Sequence, residues 1–323
     1  MSSYVNGVST MALLGETIGQ RLDHVVATAG DRPALVVRGQ ETRLTWAALG
    51  ARVDAFAAGL LDLGLRPGDR VGIWSPNNAE WVITQLATAK AGLILVTINP
   101  AYRLSELAYA LTKVACRALV TATAFKTSDY AGMLTTLMPE LAGGGGQTQA
   151  VPSLEFVIQI GARTIAQALA FAEVEGRTTD RALLAEIAAR LQFDDAINIQ
   201  FTSGTTGAPK GATLTHHNIL NNGYFIGQTM GFTQNDRVCI PVPLYHCFGM
   251  VIGVLACLTH GSCMVFPGEG FDPLTTMQAV AEERCTALYG VPTMFIAQLE
   301  HPDFKRFDFS SLRTGVMAGT TCP

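Results

Sequence analysis

Apolar side chains recur at spacings of three and four along residues 46–63. Leu49, Val53, Phe56 and Leu60 fall on one face of a 3.6-residue repeat. This predicts a helix with Thr45 as its N-cap and Gly64 as its stop. The turn Arg66-Pro67-Gly68-Asp69 follows, and the unbroken run 70–74 predicts a strand. The alternation continues with a helix over about 79–91 and a strand at 93–98, ended by Asn99-Pro100. Leu104, Leu107, Ala108 and Leu111 mark another helix, and 118–120 a short strand. After Asp194-Asp195 it resumes, with strands at 197–201, 238–240, 263–266, 287–289 and 313–317 and helices between them. Strands that read as continuous apolar runs are covered on both faces. The chain is therefore expected to be α/β, with mostly parallel sheets flanked by helices.

Two stretches break the rhythm. Four glycines at 143–146 cannot hold a regular element without a large entropy cost, so a loop is expected there, with a possible subdivision of one domain over 1–323. The apolar run 248–258 is too short to span a bilayer and predicts a buried helix.

Composition narrows the classes. With 49% hydrophobic and 15% charged residues, the 323-residue chain can bury a core, which excludes a disordered tail. The net charge of −4 gives no global positive field for nucleic acid or an anionic membrane. Any polyanion must therefore bind at a local site. The seven cysteines are odd in number and scattered, with no C-x-x-C pair, so disulfide and zinc frameworks are not expected. Reduced thiols predict a cytoplasmic protein. The first twenty residues lack a charged segment followed by an apolar one, so they do not read as a secretory signal.

The chemistry concentrates in Thr202-Ser203-Gly204-Thr205-Thr206-Gly207-Ala208-Pro209-Lys210-Gly211, directly after the strand at 197–201. Four hydroxyls, three glycines and a lysine share ten residues. Glycines let main-chain N–H groups approach phosphate oxygens. Hydroxyls donate further hydrogen bonds, and Lys210 brings a mobile charge. Pro209 restricts the chain just before that lysine. The segment is not the G-x-x-x-x-G-K-[ST] loop, because Pro209 lies five after Gly204 and Gly211 follows the lysine. A second strand, or a helix from about His217, comes next.

This loop resembles the signature of the AMP-forming adenylating enzymes, which include acyl-CoA synthetases, luciferases and peptide-synthetase adenylation domains. The likeness extends along the chain. Leu44-Thr45-Trp46 resembles the family's "LTY" motif, and Ala91-Gly92 to Asn99-Pro100 its "AG…NP" segment. Pro243-Leu244-Tyr245-His246 resembles "PLFH", and Gly290-Val291-Pro292-Thr293 resembles "GVPT". The whole chain looks like the N-terminal part of a bacterial fatty-acyl-CoA synthetase. The resemblance implies a two-step reaction in which a carboxylate attacks the α-phosphate of ATP, and the thiol of coenzyme A then takes the acyl group from acyl-AMP. It assigns Thr202, Ser203, Gly204, Thr205, Thr206, Gly207, Pro209 and Lys210 to the ATP phosphates. His246 and Gly315 are assigned to the acid, and Gly319 and Thr320 to the adenine and acyl region. Magnesium would share the phosphate charge, and no residue of this chain is assigned as a metal ligand or as a catalytic acid, base or nucleophile.

Family members that activate amino acids place an Asp in the segment matching 244–250, to pair with the ammonium. That segment has no acid here, which favours a fatty or aryl acid. Cys247 reads as a small buried hydrophobe. His216-His217 reads as a solvent-facing pair at a helix start. The resemblance also implies a magnesium-holding Thr-Glu pair, a ribose-binding Asp and a C-terminal lid domain with a lysine, all beyond Pro323. The chain by itself is then expected to be an inactive part of the enzyme with an exposed sheet edge. The reading from a different class is a short nucleotide- or acyl-binding module without catalysis.

Overall fold

The computed structural model describes residues 11–143, 148–202 and 209–321, arranged around two main sheets. The chain opens in one sheet with β1 (Pro33–Val37) and β2 (Thr42–Thr45). It builds the other from β3 (Arg70–Trp74), β4 (Ile94–Thr97) and β5 (Cys116–Thr121). A small ribbon of β6 (Ala124–Phe125) and β7 (Ser128–Asp129) intervenes. The second sheet is completed by β8 (Phe156–Gln159), β9 (Leu169–Ala170), β10 (Ala196–Thr202) and β11 (Lys210–Thr215). The chain then returns to the first sheet with β12 (Arg237–Cys239), β13 (Cys263–Phe266), β14 (Ala287–Gly290) and β15 (Thr314–Met317). The orders are β15-β14-β12-β13-β1-β2 and β11-β10-β4-β3-β5-β8-β9. In these two sheets only β1–β2 and β10–β11 pair antiparallel, each at a sheet edge. The mostly parallel α/β architecture is the one the alternation predicts.

Side chains alternate between the two faces of a strand, and here they sort into three cores. Val71 and Ile73 of β3 and Met264 and Phe266 of β13 enter one core shared by both sheets. Trp74 and Leu119 face a second, beneath the helices Leu104–Lys113 and Tyr130–Leu137. Cys263 and Val265 face a third, with Ala279 and Val280 of the helix Pro273–Glu282. The shared core contains the helices Ile18–Ala29, Trp46–Asp62 and Ala79–Lys90, so the molecule is a stack of helix, sheet, helix, sheet and helix layers.

Local chemistry sets the helix ends. Thr45 caps Trp46–Asp62 by accepting from Ala48 N–H, as its sequence position predicts. The helix Ala79–Lys90 buries every residue except Glu80, because sheets cover it on both sides. Its Lys90 meets Asp23 Oδ1 and Asp54 Oδ1, each at 2.5 Å. Burial opposes that ammonium, but the two carboxylates outweigh burial and raise its pKa.

Three expectations are revised or bounded. The run 248–258 is not one α-helix: Phe248–Leu255 is π-helical, and α-helix resumes at Ala256–His260. Periodicity alone does not separate these windings. The predicted solvent-facing pair fails at His216, which is fully buried with its Nδ1 accepting from Ile18 N–H at 3.1 Å. Of the glycines at 143–146, only Gly143 lies within the described residues. The strands on either side, β5 and β8, pair in one sheet. β15 is an edge strand of its sheet, with Gly315 and Met317 open to solvent.

Candidate active site

Parallel strands end together, and the loops beyond their carboxyl ends form the crevice where α/β folds bind ligands. Here the two sheets bring their carboxyl ends to one place. A cavity of about 450 Å³ is lined by Thr97 and Asn99 at the end of β4 and by Gln200, Phe201 and Thr202 at the end of β10. Tyr245, His246 and Cys247, from the loop after β12, complete its wall. A second cavity of about 330 Å³ adjoins it, sharing Asn99 and Tyr245.

The strand β10 ends at this crevice with Thr202, the first residue of the glycine- and threonine-rich segment. Thr202 and Lys210 pair at the end of the β10–β11 ladder. Ser203, Gly204, Thr205, Thr206 and Gly207 lie outside the described residues. Thr202 and Pro209 line the cavity, and Lys210 is exposed beside them. Tyr109 of the helix Leu104–Lys113 donates its hydroxyl to Pro209 O at 3.0 Å, holding the start of β11. The Asn99-Pro100 corner is held by Trp74 Nε1, which donates to Asn99 O at 3.2 Å, and by Tyr130 OH, which donates to Pro100 O at 2.6 Å. The Trp74 and Tyr130 rings stack at 3.7 Å, so these two donors support one another.

His246 lines the same cavity as Thr202 and Pro209. Its Nδ1 accepts from Phe248 N–H at 3.1 Å, which leaves the proton of the neutral ring on Nε2. Desolvation lowers its pKa and favours that neutral form. The ring therefore offers an N–H donor suited to a carboxylate or carbonyl oxygen. Cys247 is exposed and lines the cavity, which corrects its reading as a buried hydrophobe. Its thiol pKa is raised by desolvation, so the unreactive thiol form is favoured. Tyr102, Phe201, Ala212 and Leu214 give the cavity an apolar wall, and no acidic side chain is among the described residues that line it. A buried ammonium would find no counterion there.

Gly315, Gly319 and Thr320 line neither cavity. Gly315 has a packing role: a Cβ there would lie 2.3 Å from Leu288 O of the adjacent strand. Gly319 has φ +97°, the left-handed region that glycine tolerates. Among the described residues, no group of three or more His, Cys, Asp and Glu side chains is placed to hold a metal ion. No helix among them is long and apolar enough to cross a membrane. Sequence reasoning missed Tyr102, Tyr109, Gln200 and Leu214, which belong to no motif and reach the site only through the fold.

Comparison with known proteins agrees with this geometry. The chain is 45% identical over 328 residues to the medium-chain acyl-CoA ligase ACSF2 of Danio rerio, covering 100% of this chain and 54% of the relative. It is 42% identical over 316 residues to the putative acyl-CoA synthetase YngI of Bacillus subtilis, covering 96% and 57%. The chain thus spans about half the length of these relatives. The fold matches the crystal structure of the anthranilate CoA ligase AuaEII in complex with anthranoyl-AMP, with a TM-score of 0.83 and 24% identity over 97% of this chain and 57% of the other. The expected cytoplasmic location is corrected by the ACSF2 relatives of Danio rerio, Bos taurus and Homo sapiens, which are named as mitochondrial. Reduced thiols do not distinguish the cytosol from another reducing compartment. The description "AMP-binding enzyme" fits residues 22–323, and on that match and these identities the chain belongs to the AMP-binding enzyme family.

Proposed function

We propose that this chain is the N-terminal, AMP-binding portion of an acid–thiol ligase that activates a medium- or long-chain fatty acid with ATP and passes the acyl group to coenzyme A. One observation carries the reading. Thr202 and Pro209, the two described ends of the hydroxyl- and glycine-rich segment, line one cavity with His246, and that lining includes no acidic side chain among the described residues. An uncharged acyl chain suits those apolar walls. The carboxylate would accept from His246 Nε2–H in the cavity that Thr202 and Pro209 also line. As pyrophosphate departs, negative charge grows where Lys210 and the loop donors lie, and donors aimed at developing charge lower the barrier most. Magnesium would add charge neutralisation on the same phosphates.

ATP–pyrophosphate exchange by the protein carrying this chain tests the reading. Straight-chain fatty acids should drive exchange and amino acids should not. Lys210→Ala should lower exchange by about 10- to 100-fold while leaving the order of preferred acids intact. Exchange driven by amino acids, or an equal loss of acid discrimination in Lys210→Ala, would contradict it.

A further inference from the structure

The segment that carries His246 is held by side chains with no role in the chemistry described so far. Asn77 Nδ2 donates to Val242 O at 2.9 Å, and Asn77 Oδ1 accepts from Leu244 N–H at 2.8 Å. Gln200 Nε2 donates to Tyr245 O at 3.0 Å. Further on, Gln85 Nε2 donates to Met250 O at 3.1 Å and Tyr289 OH to Ile252 O at 3.2 Å. Asn77 follows β3 and Gln200 lies in β10, both in the seven-stranded sheet. The loop they hold follows β12 of the six-stranded sheet. These bonds therefore cross from one sheet to the other at the cavity.

The held conformation is narrow. A Cβ on Gly249 would lie 2.4 Å from Pro243 O and 2.8 Å from Leu244 Cα, so the segment doubles back with no space between its arms. His246 N–H reaches Pro243 O at 3.3 Å, and Gly249 N–H returns to His246 O at 3.0 Å. The imidazole then closes the motif on itself through Phe248 N–H. A shift of Tyr245 or Leu244 moves the ring, because no free linker separates them.

We propose that Asn77 and Gln200 are positioning residues that clamp the 242–246 main chain from the opposite sheet, holding the His246 ring on the cavity wall with its proton on Nε2. Gln200 lies two residues before Thr202, so the clamp also fixes His246 relative to the strand that delivers the phosphate loop. The catalytic consequence rests on the acid-activation reading, whereas the geometry does not.

The test uses the protein carrying this chain, with histidine rings labelled with ¹⁵N and the His246 signals assigned by their loss in His246→Ala. Gln200→Met keeps the length of the side chain and removes the donor. Gln200→Glu keeps the shape and sets an oxygen against Tyr245 O. In both, the two ring nitrogens of His246 should move toward a mixed tautomer while the signals of the other histidines stay in place. For exchange driven by a fatty acid, kcat should fall about tenfold, with KM for ATP changed by less than about twofold. If either variant fails to fold, Asn77→Asp carries the test, since it retains the acceptor for Leu244 N–H and removes the donor to Val242 O. A wild-type His246 spectrum in the folded variants overturns the clamp, whatever their activity. Unchanged exchange in His246→Ala overturns the acid-site role of the ring, and the spectra still decide the clamp.

Discussion

Two histidines show how environment divides one residue type into different tasks. His246 opens to the cavity and keeps a donor for a ligand. His216 is sealed between the start of its own helix and the helix at Ile18–Ala29, and its Nε2 has no partner. Burial lowers the His216 pKa from 6.5 to about 4, against a smaller opposing effect of Asp195. The unfolded chain binds that proton near 6.5. Between the two values the unfolded state holds more protons than the folded state, so stability falls as pH drops from about 6.5 to about 4. The gap corresponds to roughly 3 kcal/mol. His216→Asn can retain an acceptor for Ile18 N–H without titrating. Its melting temperature should fall less between pH 7 and pH 5 than that of the parent, while His246 and His260, also lowered by burial, keep part of the slope. An identical slope in the variant would contradict this account. None of this was legible in the sequence, where His216-His217 reads as a helix-start pair. The ring is buried by residues about 200 positions away, beyond what local pattern carries. Asn77 and Gln200 were invisible for the same reason: an amide that bonds distant main chain leaves no spacing signal.

At the scale of elements, the sequence was most informative where a strand or helix lies in the covered interior. β3, β4, β5, β10, β12, β13, β14 and β15 all fall within a residue or two of the apolar runs; all but the edge strand β15 lie inside their sheets, where cover on both faces favours apolar residues. The β1–β2 hairpin was not anticipated: β2 sits at a sheet edge and its residues are exposed or half-buried. The short β8 and β9 and the helices Phe171–Glu175 and Ala182–Arg190 were also unread, as they carry too few residues for a period to emerge. Close packing between elements is equally hidden. Gly59 of Trp46–Asp62 has Val174 O of the helix Phe171–Glu175 where a Cβ would sit, at 1.9 Å, whereas Gly39 has nothing within 4 Å. Gly59→Ala must push two helices apart and should cost at least about 2 kcal/mol in urea unfolding. Gly39→Ala should stay within about 0.5 kcal/mol of the parent. Equal stability of the two variants would show that the helices are not packed as described.

Across the whole molecule, the decisive feature is that the chain leaves its first sheet after β2 and returns to it only at β12. No periodicity reports which strands share a sheet, so the convergence of both sets of carboxyl ends on one crevice could not be read from the sequence. The loop after β10, the Asn99-Pro100 corner and His246 were each named from the resemblance, and the fold brings Thr202, Pro209, Asn99 and His246 to one cavity. Gly315, Gly319 and Thr320 came from the same resemblance but line neither cavity. The central claim is that this cavity receives the activated acid. A crystal structure of the chain with a fatty-acyl sulfamoyl adenosine, a stable mimic of acyl-AMP, tests it most directly. The account predicts the sulfamate beside Thr202 and the loop, the acyl carbonyl oxygen accepting from His246 Nε2–H, and the acyl chain against Phe201 and Leu214. A ligand seated elsewhere, with His246 still bonded only within its own segment, would contradict it.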